Sequence, residues 1–132
     1  MEAKELMIGD WVLLRHTHTK EKTAEYVYGI GRDVILYRNE AGVQCVDMNL
    51  IEPMPLTEEI LLKNGFTLDE EWEEYRAPNK TYFGLEYTVR KESYYITIAS
   101  YFDPIFIKYV HELQHLLRLC GLNDLADNFK IE

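Results

Sequence analysis

The chain has 132 residues, 47% hydrophobic and 28% charged, a balance that suits one globular domain or two small lobes and excludes a disordered chain. Its 23 acidic and 14 basic residues leave a net charge of −9, divided as −3 over residues 1–56 (6 basic, 9 acidic) and −6 over residues 57–132 (8 basic, 14 acidic). Neither half carries the basic footprint that a phosphate backbone demands, so direct nucleic-acid binding is not expected.

No apolar run approaches the ~20 residues of a membrane span. The first residues, Met1-Glu-Ala-Lys-Glu-Leu6, lack the basic start and apolar stretch of a signal peptide. A cytoplasmic location without membrane contact is therefore expected. Cys45 and Cys120 stand apart with no C-x-x-C spacing, as reduced, packed thiols would.

In chain order, Leu6 to Arg15 reads as a turn feeding a strand, with Gly9-Asp10 as the breaker. His16 to Thr23 is polar and reads as a loop tip. Ala24 to Ile30 and Asp33 to Arg38 are β-rich, and Asn39-Glu-Ala-Gly42 is turn chemistry joining the second of these to Val43–Val46. Short strands so closely spaced predict a small antiparallel β-barrel of the SH3-like kind over residues 1–56. Ile51 to Leu56 holds two prolines, which lack donors, and reads as an extended connector.

Residues 57–132 are expected to form a second lobe, compact with the first. Thr57 is a good N-cap, Glu58 and Glu59 suit the positive end of a helix dipole, and Gly65 stops the helix. Asp69 to Arg76 reads as a solvated acidic segment with Trp72 tucked inward; a docking patch for a basic partner is the other reading. After a turn at Ala77–Lys80, Phe83, Leu85, Tyr87 and Val89 alternate with more polar neighbours, and Tyr94, Ile96 and Ile98 do so on the returning strand. The helix predicted to start at Asp103-Pro104 and run to Leu119 is the expected cover for this hairpin. Asn123 to Phe129 suggests a last helical turn.

Three blocks, Lys4–Val12, Ile51–Phe66 and Lys108–Leu117, together resemble an uncharacterised family of small proteins from anaerobic gut bacteria and their phages or mobile elements. The resemblance brings no activity with it. In that group the helix block often reads Val-His-Gln-Leu-Gln-Asn, with amides where Glu112 and His115 stand here. It implies that the shared role does not use these two side chains.

The departure matters because His111-Glu112-Leu113-Gln114-His115 spells the H-E-x-x-H pattern of zinc hydrolases. Residues i and i+4 share a helix face, so His111 and His115 could bind one Zn²⁺ while Glu112 takes a proton from the bound water. Three checks weigh against it. With 4 His and 16 Glu in the chain, the pattern arises by chance in roughly one such sequence in seventy. At ~100° per residue, Phe106, Leu113, Leu117 and Cys120 gather on one face, and His111 and His115 are expected to look outward on the other. A third ligand is missing, since Arg118 and Gly121 occupy the places of the metzincin extension.

His16 and His18 read as solvated loop residues, and Gly29-Ile-Gly31 lacks the third glycine of a dinucleotide fingerprint. No catalytic, cofactor-binding or metal residue is assigned, and no cofactor is expected. The sequence is thus read as an α+β protein: an SH3-like β-barrel, a short helix, then a β-hairpin packed by a C-terminal helix. The expected role is a non-enzymatic intracellular module that binds an unidentified protein. The alternatives are a zinc-dependent hydrolase using His111, Glu112 and His115, and an acidic nucleic-acid mimic.

Overall fold

The computed structural model describes residues 5–78, 83–88, 92–96 and 105–131. It is α+β, with antiparallel strands throughout and three α-helices among the described residues. The chain divides into two compact units: Met1–Pro55 with Tyr109–Phe129, and Leu56–Lys108 with Lys130–Glu132. Sequence patterning places the division at residue 56 but keeps the last helix with the second lobe; in the structure that helix belongs to the first unit.

In the first unit, β1 (Trp11–Arg15) lies between β2 (Lys22–Tyr26) and β6 (Ile51–Pro53). A second sheet has β4 (Val34–Asn39) between β3 (Gly29–Ile30) and β5 (Gly42–Asp47). The β4–β5 turn follows from its residues: the Asn39 side chain accepts a hydrogen bond from the Ala41 N–H at 2.9 Å, the Asx geometry that reverses a chain. The core gathers Val12, Leu14, Val27, Ile35, Met48 and Ile51. Each full burial of such a side chain contributes roughly 1.5–3 kcal/mol. Among the described residues no ladder closes the two sheets into a barrel.

Residues 51–53, expected to be a connector, form the edge strand β6, with Ile51 opposite Leu14 and Pro53 opposite Val12. Proline is tolerated there because an edge strand needs only half of its ladder bonds. Cys45 and Cys120 are free thiols but exposed rather than packed.

The second unit opens with α1 (Glu58–Lys63). The Thr57 hydroxyl accepts from the Ile60 N–H, as its N-cap position predicts, which contributes about 1 kcal/mol. Gly65 ends the helix at φ +82°, a conformation that costs other residues roughly 1–2 kcal/mol. A five-stranded sheet follows in the order β11-β10-β9-β8-β7, with β7 Thr67–Asp69, β8 Glu74–Arg76, β9 Gly84–Thr88, β10 Ser93–Ile96 and β11 Phe106–Ile107. Asn64 is buried and pins the chain end, donating to the Lys130 carbonyl and accepting from the Lys130 N–H.

The acidic segment at 69–76 is a hairpin, and Trp72 at its turn is 64% exposed instead of tucked inward. Tyr87, expected on the half-buried face, is 48% exposed. The proposed helix start at Asp103-Pro104, the end of the Ala77–Lys80 turn and the outer parts of the β9 and β10 predictions lie outside the described residues. Phe106 and Ile107 pair with Tyr95 and Tyr94, so the last long helix, α2, begins only at Val110 and ends at Leu119. The strand bonds available on β10 compete successfully with helix over those two positions, and Ile107 becomes buried by them. A short α3 (Asn123–Asp127) follows, as predicted.

Candidate functional site

The sequence draws attention first to α2. Its start is set by backbone bonds inside the first unit: the Val110 N–H donates to the Met54 carbonyl at 2.8 Å, and Pro55 bridges Tyr109. The Glu112 carboxylate accepts from the Tyr109 N–H at 3.1 Å. That is an end-capping bond, which also places negative charge at the positive end of the helix.

The face carrying His111, Gln114, His115 and Arg118 does not look outward. His111 is 7% exposed, with its ring stacked on Tyr109 at 13° and edge-on to His115 at 5.6 Å. Gln114 is wholly buried. Its Oε1 accepts from the Trp11 N–H at 2.9 Å, and its Nε2 donates to the Gly9 and Ala126 carbonyls at 2.8 and 3.0 Å. Asp10, also wholly buried, accepts from the Met7 N–H at 2.8 Å, His115 Nε2 at 2.7 Å and Arg118 Nη1 at 3.0 Å. Arg118 reaches Asp127 as well; Gly9 beside it sits at φ +99°, a conformation that favours glycine, and a Cβ there would also stand 2.9 Å from Arg118 Nη2. Trp11 Nε1 adds a bond to the Phe129 carbonyl.

This face is therefore a clasp that ties the Met7–Trp11 turn to α2 and α3. Angular counting misplaces it because the count equates polar with solvated, and here Gln114, His115 and Arg118 find buried partners, although among the described residues His111 Nδ1 and Arg118 Nη2 have none. Asp10 and Gln114 were not singled out by the sequence. The one signal for Asp10 was its place in a Gly-Asp turn, which does not reveal a partner 105 residues away.

The clasp constrains the metal chemistry that H-E-x-x-H suggests. The Nε2 of His115 carries its hydrogen toward Asp10, and Glu112 caps the helix. Among the described residues no group of three or more His, Cys, Asp or Glu side chains is placed to hold a metal ion. His16 and His18 sit at the Thr17–Thr19 turn, where His16 Nε2 bonds the Thr23 hydroxyl at 2.8 Å; both line an open cleft of about 330 Å³.

His111 supplies a pH test. Burial holds its imidazole below the usual histidine range; His115 pushes the same way, while Asp10, Glu112 and Glu5 pull against both. The unfolded chain thus takes up this proton at higher pH than the folded one, and stability falls as pH drops from about 6.5 toward the folded value. The thermal midpoint should decline between pH 7 and 5.5, and His111→Phe should flatten that decline. An unchanged slope in the variant would assign it to other groups.

The second unit presents a different surface. Along its sheet, Leu68 lies opposite Tyr75, Tyr75 opposite Leu85, and Tyr87 opposite Tyr94, so these residues share one face. Tyr75, Leu85 and Tyr94 are buried, whereas Leu68 at 44% and Tyr87 at 48% remain open. Trp72 projects from the adjoining β7–β8 turn, among Glu70, Glu71 and Glu73.

Comparison with family models, curated proteins and solved structures yields no match for this chain.

Proposed function

We propose that the chain is a small non-enzymatic protein-interaction module, acting inside the cell and carried by a phage or mobile element, as its sequence resemblance implies. Its partner docks on the aromatic rim of the second unit. The observation that carries this reading is the exposure of Leu68, Trp72 and Tyr87 at the edge of an otherwise buried face. Open aromatic and aliphatic side chains grouped in this way are a common mark of protein contact, and tryptophan and tyrosine are frequent anchors in such contacts.

The first unit serves as scaffold in this reading. Its two small sheets, sharing the Val12–Ile35–Ile51 core, are read as an opened barrel of the SH3-like kind. Gln114, His115 and Arg118 of α2 support the assignment too, because their bonds hold the fold together.

The test is partner capture from host lysate by the wild-type chain and by a Leu68→Ser, Trp72→Ser variant. Both positions are exposed, so the variant should fold with only a small loss of stability. The wild-type chain should retain a partner that the variant loses. Equal capture by both, or no capture alongside turnover of a small substrate, would overturn the reading.

A further inference from the structure

Resting on that docking reading, we infer that the partner presents a basic segment, one cationic side chain of which enters a cleft between the β7–β8 turn and Tyr87. The cleft has a volume of about 360 Å³ and is lined by Leu68, Glu70, Glu73, Tyr75 and Tyr87. Its walls are aromatic and aliphatic, and its rim holds two carboxylates. Among the described residues no lysine, arginine or histidine lines it, and neither Glu70 nor Glu73 has an ion-pair partner.

The rings are held in place by a neighbour on the same face. Tyr94 packs against Tyr87 with centroids 5.1 Å apart and meets Tyr75 edge-on at 6.0 Å. The Tyr75 hydroxyl donates to the Glu58 carboxylate, and burial together with that bond raises its pKa. Its proton is therefore directed at Glu58 and is not offered to an incoming anion. Glu73 sits at φ +53°, where a non-glycine residue is held at a cost of roughly 1–2 kcal/mol.

An anionic ligand meets two like charges here, and a neutral apolar one leaves both carboxylates beside a desolvated contact. A cation meets negative ring faces and carboxylates together, the combination that binds ammonium and guanidinium groups. Guanidinium suits it best, since it stacks flat on an aromatic ring while its edge donates to carboxylates. The net charge of −4 over residues 56–108 and 130–132 (7 basic, 11 acidic) draws a basic segment toward this unit at long range.

The experiment uses the whole chain and follows the Leu68 methyl and Tyr87 ring NMR signals. The probes are a short capped peptide carrying two arginines and no other charge, its citrulline counterpart of equal shape without charge, and its glutamate counterpart. The arginine peptide should move both signals, with affinity at least about tenfold above the citrulline peptide and falling as salt rises. The glutamate peptide should leave them unmoved. Glu70→Gln with Glu73→Gln, both at exposed positions, should remove most of the preference for arginine. Equal binding of arginine and citrulline peptides, or unmoved signals with the arginine peptide at about millimolar concentration, would overturn the cationic assignment. The docking reading stands or falls separately, on whether the Leu68→Ser, Trp72→Ser variant still captures the partner.

Discussion

Gln114→Leu should destabilise the first unit by about 3 kcal/mol or more, although it puts a helix-favouring apolar residue at a fully buried position. The native amide satisfies the Trp11 N–H and the Gly9 and Ala126 carbonyls, all within 3.0 Å. Leucine leaves these backbone groups without that partner, at roughly 1–3 kcal/mol for each group that stays dry. Set against the ~5–15 kcal/mol that holds a typical domain together, this is a large fraction. Urea unfolding followed by circular dichroism measures it. A loss below about 1 kcal/mol would mean that water or a local shift replaces the amide, and that the clasp is not what locks the turn.

Asp10→Ala should be comparably severe, at about 3–5 kcal/mol, because it leaves the Arg118 cation buried without its counter-charge. The Arg118 side chain is only 13% exposed, and Asp127, its other carboxylate, is largely open to solvent. The mechanism makes a sharper prediction for the pair. Adding Arg118→Met to Asp10→Ala should restore part of the loss, since the uncompensated charge disappears with the guanidinium. A double-mutant cycle in the same unfolding assay should return a coupling of about 1–3 kcal/mol. Strict additivity would show that the pair does not act as a unit. Asp10→Asn should fall between, keeping an acceptor for the Met7 N–H while weakening the bonds to His115 and Arg118.

Both expectations concern the very helix whose sequence suggests an enzyme, and both treat its polar residues as structure. The angular count found half of the apolar stripe: Leu113 and Leu117 are buried, whereas Cys120 is exposed and Phe106 lies on β11, outside the helix. Its larger error lay in the opposite stripe. An amide or imidazole is placed outside by default because burying it unpaired costs several kcal/mol. That default fails when a distant turn supplies the partners, as the turn around Asp10 does.

Trp72 shows the reverse error. A large indole in an acidic stretch was expected to turn inward, since burial removes much apolar surface from water. The β7–β8 hairpin instead places it at the turn, away from the ladder that buries Tyr75 and Leu85. Asp69 pairs with Glu74, which leaves residues 70–73 as the turn, and no local pattern in Asp69–Arg76 announces that register.

What the sequence determined by itself are the features governed by a few neighbouring residues. The Asn39 turn with its flanking strands, the Thr57 cap, the Gly65 stop and the α+β class all follow from short-range sterics and hydrogen bonding. Tertiary structure alone decided that α2 joins the first unit, that Asp10 meets His115 and Arg118, and that Leu68, Trp72 and Tyr87 stay open. Each of these depends on pairings across long chain separations, where competing burial and hydrogen-bond terms of similar size are resolved only when the partners are brought together.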